Sequence, residues 1–170
     1  MKGAGWKLGR ANAPFLAGCV IFAAAAFVLA GEIASGWRIG KDMTVETCLP
    51  YRFYLIKLGK PVPERGELVA FKTSGQQPFA DDLVFTKIVL AVPGDHVVVT
   101  PKGAQVAGKF LPFTERALKG IKRTGESLAR SYTLGEGEYF MYATNPNAFD
   151  SRYYGPVTAS KLIGESTPIW

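Results

Sequence analysis

Leu83-Val84-Phe85-Thr86-Lys87-Ile88-Val89-Leu90-Ala91-Val92-Pro93-Gly94-Asp95 is a nearly continuous apolar run, broken by Thr86 and Lys87, that closes on a Pro-Gly-Asp turn. Branched residues bounded by turn chemistry read as a strand entering a tight reversal, with Val97 to Val99 as the returning strand. Alternate residues of a strand share a face, so Lys87 sits with Phe85 and Val89 while Thr86 and Ile88 point the other way. Burying an ammonium disfavours its charged form, which is how a lysine becomes a general base. The segment by itself also fits an edge-strand lysine that snorkels to solvent.

The rest of the chain follows the same grammar. Tyr51 to Leu58 is rich in aromatic and branched residues, and Gly66-Glu67 opens the short run Leu68 to Phe71. Lys102 to Leu111, with Gly103 and Gly108, reads as a hairpin or extended loop. Glu138 to Ala143 is a further strand, Asn145-Pro146-Asn147 a turn, and Lys161 to Gly164 can close the sheet. Within Phe113 to Ser131, Leu118, Ile121 and Leu128 hint at a helix, but Gly120 and Gly125 argue against a regular one, so the stretch is left as an insertion. With 19 Gly and 11 Pro, the composition suits a turn-rich β protein better than a helical bundle.

Ahead of the strands, Ala11 to Gly31 carries no charge, and as a helix it would cover roughly 30 Å, the thickness of a bilayer's hydrocarbon core. Lys2, Lys7 and Arg10 precede it without an acid, whereas Glu32, Arg38, Lys41 and Asp42 balance after it. The positive-inside bias then keeps the N-terminus cytoplasmic and everything beyond the span outside. The expected organisation is a cytoplasmic N-terminus at 1–10, a transmembrane anchor at 11–31, a linker at 32–43 and one folded domain at 44–170. A cleavable secretory signal is the competing reading, because Val28-Leu29-Ala30 offers small residues before Gly31.

The formal charge of +6 does not point to nucleic acid, because the basic residues are scattered and never form a run with interleaved aromatics. A basic surface near anionic lipid headgroups is the expected consequence. Cys19 lies inside the apolar span and Cys48 beyond it, so an intramolecular disulfide is not expected and Cys48 should be a free thiol. Alone, it reads more readily as a small half-buried hydrophobe than as a nucleophile. His96, the single histidine, follows the turn directly and reads as a surface residue. With one histidine and one cysteine beyond the span, neither a metal site nor a cofactor is expected.

Four segments carry a resemblance to a known family. Phe85 to Asp95 resembles the signal peptidase motif in which a lysine begins a strand closing on Pro-Gly-Asp, and Asp150-Ser151-Arg152-Tyr153-Tyr154-Gly155-Pro156-Val157 resembles the C-terminal signature of that family. Arg65-Gly66-Glu67-Leu68-Val69-Ala70-Phe71 is similar to its intervening strand, and Thr47-Cys48-Leu49-Pro50 to the nucleophile segment of its conjugative-transfer branch. The segments occur in the family's order behind a membrane anchor. The resemblance implies a mainly β, antiparallel domain related to that of self-cleaving repressors, with one N-terminal transmembrane helix. It implies Cys48 on the nucleophilic serine position, Lys87 as general base, and Asp150 and Arg152 as a supporting ion pair. It further implies a single-pass protein of the bacterial inner membrane with a periplasmic peptidase domain, acting on a membrane-delivered precursor such as a conjugative pilin.

The departures are as informative as the matches. Glu46 stands two before Cys48, where relatives often place a hydroxyl for the oxyanion, and an ionised carboxylate cannot donate a hydrogen bond. The Cys48 backbone N–H is expected to serve instead, helped by Thr47 or Thr44. Ala143-Thr144 and Ala148 replace residues usual in housekeeping enzymes, which directs the reading away from general secretion. The alternative is a catalytically silent, membrane-anchored assembly subunit that kept the peptidase fold after losing its serine.

Overall fold

The computed structural model describes residues 13–169. The expected cytoplasmic segment 1–10 and the first two residues of the expected anchor lie outside the described residues. Two units are present, one ending at Gly36 and one beginning at Trp37.

In the first unit, α1 (Ala13–Ser35) is one helix, and its Pro14–Glu32 segment is long and apolar enough to cross a membrane. Its large side chains, Phe22 and Phe27 among them, are exposed. The helix therefore runs four residues past the expected end of the anchor at Gly31. The stretch 32–43 is correspondingly not a linker: it holds the end of α1 and then β1 (Trp37–Lys41), which pairs antiparallel with β2 (Phe53–Leu58).

The second unit is built from two antiparallel sheets. In chain order the remaining strands are β3 (Leu68–Lys72), β4 (Val84–Ala91), β5 (His96–Thr100), β6 (Gly103–Val106), β7 (Lys109–Pro112), β8 (Arg130–Thr133), β9 (Glu138–Tyr142), β10 (Val157–Thr158) and β11 (Leu162–Pro168). The larger sheet has the order β1-β2-β11-β3-β4-β9-β10 and the smaller β7-β6-β5-β8. β11 closes the larger sheet by lying between β2 and β3. The turn after β4 is fixed by Asp95, whose carboxylate accepts from the Val92 N–H at 2.8 Å, and by Gly94 at φ +90°, a conformation that favours glycine.

The 3₁₀ and helical pieces are where structure and sequence reading part. The insertion expected across Phe113–Ser131 contains α2 (Glu115–Ile121), α3 (Gly125–Leu128) and the start of β8. Thr114 and Thr124 are the N-caps, and their hydroxyls accept from the Ala117 and Ser127 N–H groups. Gly125 is no helix breaker: a Cβ there would stand 1.9 Å from the Pro101 carbonyl oxygen, so glycine permits α3 to pack against that backbone. A fourth short helix, α4 (Ser151–Tyr154), is capped by the Asp150 carboxylate.

Alternation along β3 and β4 sorts the core. Val69, Phe71 and Val89 join one cluster with Met141 and Val157, whereas Ala70 and Ile88 belong to another with Tyr54 and Ile56. Phe85 and Val89 thus share a face opposite Ile88, as the period of two requires.

Candidate active site

β4 is paired on both sides for only part of its length. β3 covers it from Val84 to Ile88, but β9 joins the opposite edge only from Ile88 onward. Among the described residues, Val84 to Lys87 therefore has one edge with no strand on it. β9 ends at Tyr142 and the chain turns away through 143–150, leaving beside that edge a cavity of about 560 Å³. Cys48, Lys87, Asp42, Phe85, Ala148 and Phe149 are among its lining residues.

Lys87 is 3% exposed, so it does not snorkel. Its Nζ lies 5.6 Å from the Phe85 ring centroid, and among the described residues it makes no ion pair. Phe85 is itself held edge-on between Phe79 and Phe71. The amine thus ends in an aromatic wall facing the cavity.

Cys48 is a half-buried free thiol on the irregular segment between β1 and β2. The neighbouring Leu49, 2% exposed, plugs the segment into the cluster of Tyr54, Ile56, Ala70 and Ala148. Asn145 clamps it from the other side: its backbone N–H donates to the Cys48 carbonyl at 3.1 Å and its side-chain Nδ2 to the Thr47 carbonyl at 2.9 Å. Thr47 consequently serves through its backbone, and its side chain does not line the cavity.

The Cys48 N–H, expected to be available to an oxyanion, is engaged. It donates to Asp42 Oδ2 at 2.9 Å, while Asp42 Oδ1 accepts from the Thr44 N–H at 2.9 Å and from the Thr44 hydroxyl. Burial alone would raise the Asp42 pKa; the bonds from Thr44 and Cys48, together with the Lys87 ammonium, outweigh it and hold the carboxyl below its ordinary value. Tyr54, which also lines the cavity, is pushed up to about 12 by burial, with Asp42 adding to the effect. Glu46 points elsewhere, to Arg116 of α2 at 2.7 Å, and that guanidinium holds its carboxyl below the usual range.

Asp150 and Arg152 lie behind this wall and do not line it. They are 0% and 2% exposed and meet in a bidentate pair, Nε to Oδ1 at 2.8 Å and Nη2 to Oδ2 at 2.9 Å. Asp150 also accepts from the Ala143 N–H, and Arg152 donates to the Pro112 and Ala148 carbonyls. Burial opposes the Arg152 charge, and Asp150 more than offsets it, raising the pKa. The pair thereby ties β7, the end of β9 and the 145–148 turn to one another, and that turn holds Cys48. Asp42, Asn145 and Arg116 are the site residues that the sequence reading passed over.

Comparison with known proteins gives the family. Residues 13–170 match the family model described as signal peptidase, peptidase S26. The chain is 30% identical to a plasmid transfer protein TraF of Escherichia coli, covering 98% of this chain and 91% of that one. It is 31% identical to a probable signal peptidase I-2 of Synechocystis, over 61% of this chain and 46% of that one. A signal peptidase I from Enterococcus faecalis aligns in structure with a TM-score of 0.39 at 21% identity, over 63% of this chain and 98% of that one. The chain belongs to the signal peptidase family, peptidase S26.

Proposed function

We propose that this protein is a membrane-anchored peptidase in which Cys48 is the nucleophile and Lys87 the general base, maturing an exported precursor in conjugative transfer. The observation that carries the reading is the cavity itself: a free thiol and a buried lysine that makes no ion pair among the described residues face one space beside an open strand edge. The open edge of β4 can accept an extended peptide as an added strand, laying its backbone past Cys48. The apolar lining suits a precursor with small residues before the scissile bond.

Once Lys87 has released its own proton to solvent, its amine takes the Cys48 thiol proton, and the thiolate adds to the peptide carbonyl, whose electron pair moves to oxygen. Collapse of that adduct breaks the C–N bond, and Lys87 returns the proton to the departing amine. The resulting thioester is resolved by water, or by an amine positioned nearby, whose effective concentration rises by orders of magnitude when held in place. α1 anchors the protein in the inner membrane with its N-terminus cytoplasmic and the domain periplasmic, where a membrane-delivered pilin precursor would reach the cavity. No nucleic acid takes part.

Co-expression with candidate pilin precursors, followed by intact-mass measurement, tests the reading. Precursors should be shortened by the wild type and left intact by Cys48→Ala and by Lys87→Ala. Processing by either variant would remove the dyad. A product lighter by one water than the cleaved linear chain, with no free N-terminus, would identify aminolysis by the precursor's own end, whereas a linear product with both ends free identifies hydrolysis.

A further inference from the structure

We propose that Asp42 is a built-in plug of the nucleophile: its carboxylate occupies the backbone donor that a scissile carbonyl needs, and it must leave before Cys48 can react. The inference rests on the reading of Cys48 as nucleophile. A tetrahedral adduct on Cys48 places its oxyanion against nearby preorganised donors, of which the Cys48 N–H is the nearest by covalent geometry. That N–H is bonded to Asp42 Oδ2 at 2.9 Å, so the carboxylate stands in for the oxyanion in charge and in partner. Both Thr44 donors converge on its other oxygen. The same three groups line the cavity together with Lys87.

The arrangement also sets charge against the reaction. An anion held beside Cys48 repels the thiolate that must form there. The Lys87 charge contributes to holding the Asp42 carboxyl low, although among the described residues no ion pair joins the two.

The plug is free to move. Asp42 follows the last residue of β1, and its backbone is fixed by a bond from its N–H to the Arg52 carbonyl at 2.9 Å. Among the described residues its side chain is bonded only to the segment 44–48, in which Val45 is 96% exposed and before which Met43 is 80% exposed. A rotamer change would release Cys48 without disturbing β1. A peptide carbonyl arriving along the β4 edge would then take the vacated N–H.

Alkylation of Cys48 in the intact, detergent-solubilised chain reads the plug directly, because iodoacetamide needs the thiolate and no precursor. The Cys48 peptide is quantified by mass spectrometry near neutral pH. Asp42→Asn, which keeps shape and acceptor oxygen, and Asp42→Ala should each raise the alkylation rate, the latter by roughly tenfold, the scale on which one neighbouring carboxylate alters a thiolate population. Thr44→Val removes one of the bonds that hold Asp42 but keeps the carboxylate, and should raise the rate less than either Asp42 variant. An unchanged or slower rate in both Asp42 variants, or an equal rise in Thr44→Val, overturns the proposal and makes Asp42 a strut. If Asp42→Ala fails to fold by thermal melting, Asp42→Asn carries the test with the same criteria. Loss of the peptidase reading would show separately, as precursor maturation that survives Cys48→Ala.

Discussion

Two carboxylates flank the Cys48 segment, and they are built in opposite ways. Asp150 is wholly buried, grips Arg152 with both oxygens and takes two backbone N–H groups besides. Asp42 is part-exposed, and among the described residues its carboxylate forms no ion pair and bonds only to the loop that carries the thiol. A buried, fully bonded pair fixes geometry because breaking it leaves a charge stranded in low dielectric. A half-buried carboxylate with solvent beside it can exchange partners at small cost. The rear of the site is therefore held from several elements, and the movement proposed for Asp42 belongs to the front.

The contrast breaks most completely at the dyad. Lys87→Met keeps the apolar stem but removes the amine, and should cut precursor processing by roughly 10³-fold or more while melting stays within a few degrees of wild type. Arg152→Ala should do the reverse in emphasis. It strands Asp150, costs about 3 to 5 kcal/mol and lowers the melting temperature by roughly 10 to 20 °C, with processing lost as a consequence of the loosened 145–148 turn. Normal melting in Arg152→Ala would mean that the rear pair is not the scaffold described above.

Between these extremes lies Asn145, which joins the rear turn to the front loop. Asn145→Ala removes the side-chain bond to the Thr47 carbonyl, at a cost of about 1 kcal/mol, and should reduce processing while shifting melting by only a few degrees. The smallest effect concerns pH. Tyr54 holds its proton up to about pH 12 in the folded chain, whereas an unfolded tyrosine ionises near pH 10. The folded state binds the proton more tightly, so this contribution to stability is complete below about pH 10 and is lost as pH rises through about 12. Tyr54→Phe should melt with a flatter dependence across that alkaline window, measured by circular dichroism.

The same division decides what could be read from sequence. β4 and its Pro-Gly-Asp turn are legible because burial period and turn chemistry are local, whereas the Asp150-Ser151-Arg152 segment is legible through family resemblance alone. β1 was not: none of Trp37 to Lys41 is buried, so the strand exists by backbone pairing with β2 and leaves no alternation to read. α2 and α3 were obscured by weighing Gly120 and Gly125 above the Thr114 and Thr124 caps. At the site, Cys48 and Lys87 emerged from family resemblance, whereas Asp42 looked like one more charge balancing the membrane flank. Its bonds run to backbone, and Asn145 reaches across 98 residues to Thr47, contacts for which a sequence carries no period.

The central claim is that Cys48 forms the covalent bond. Incubation of the full-length protein with an uncleaved precursor that it matures, quenched in acid and followed by intact-mass and peptide analysis, tests it most directly. The account predicts an acyl adduct on Cys48 that hydroxylamine removes, and none on Lys87→Met. An adduct on another residue, or maturation that proceeds in Cys48→Ala, would contradict it.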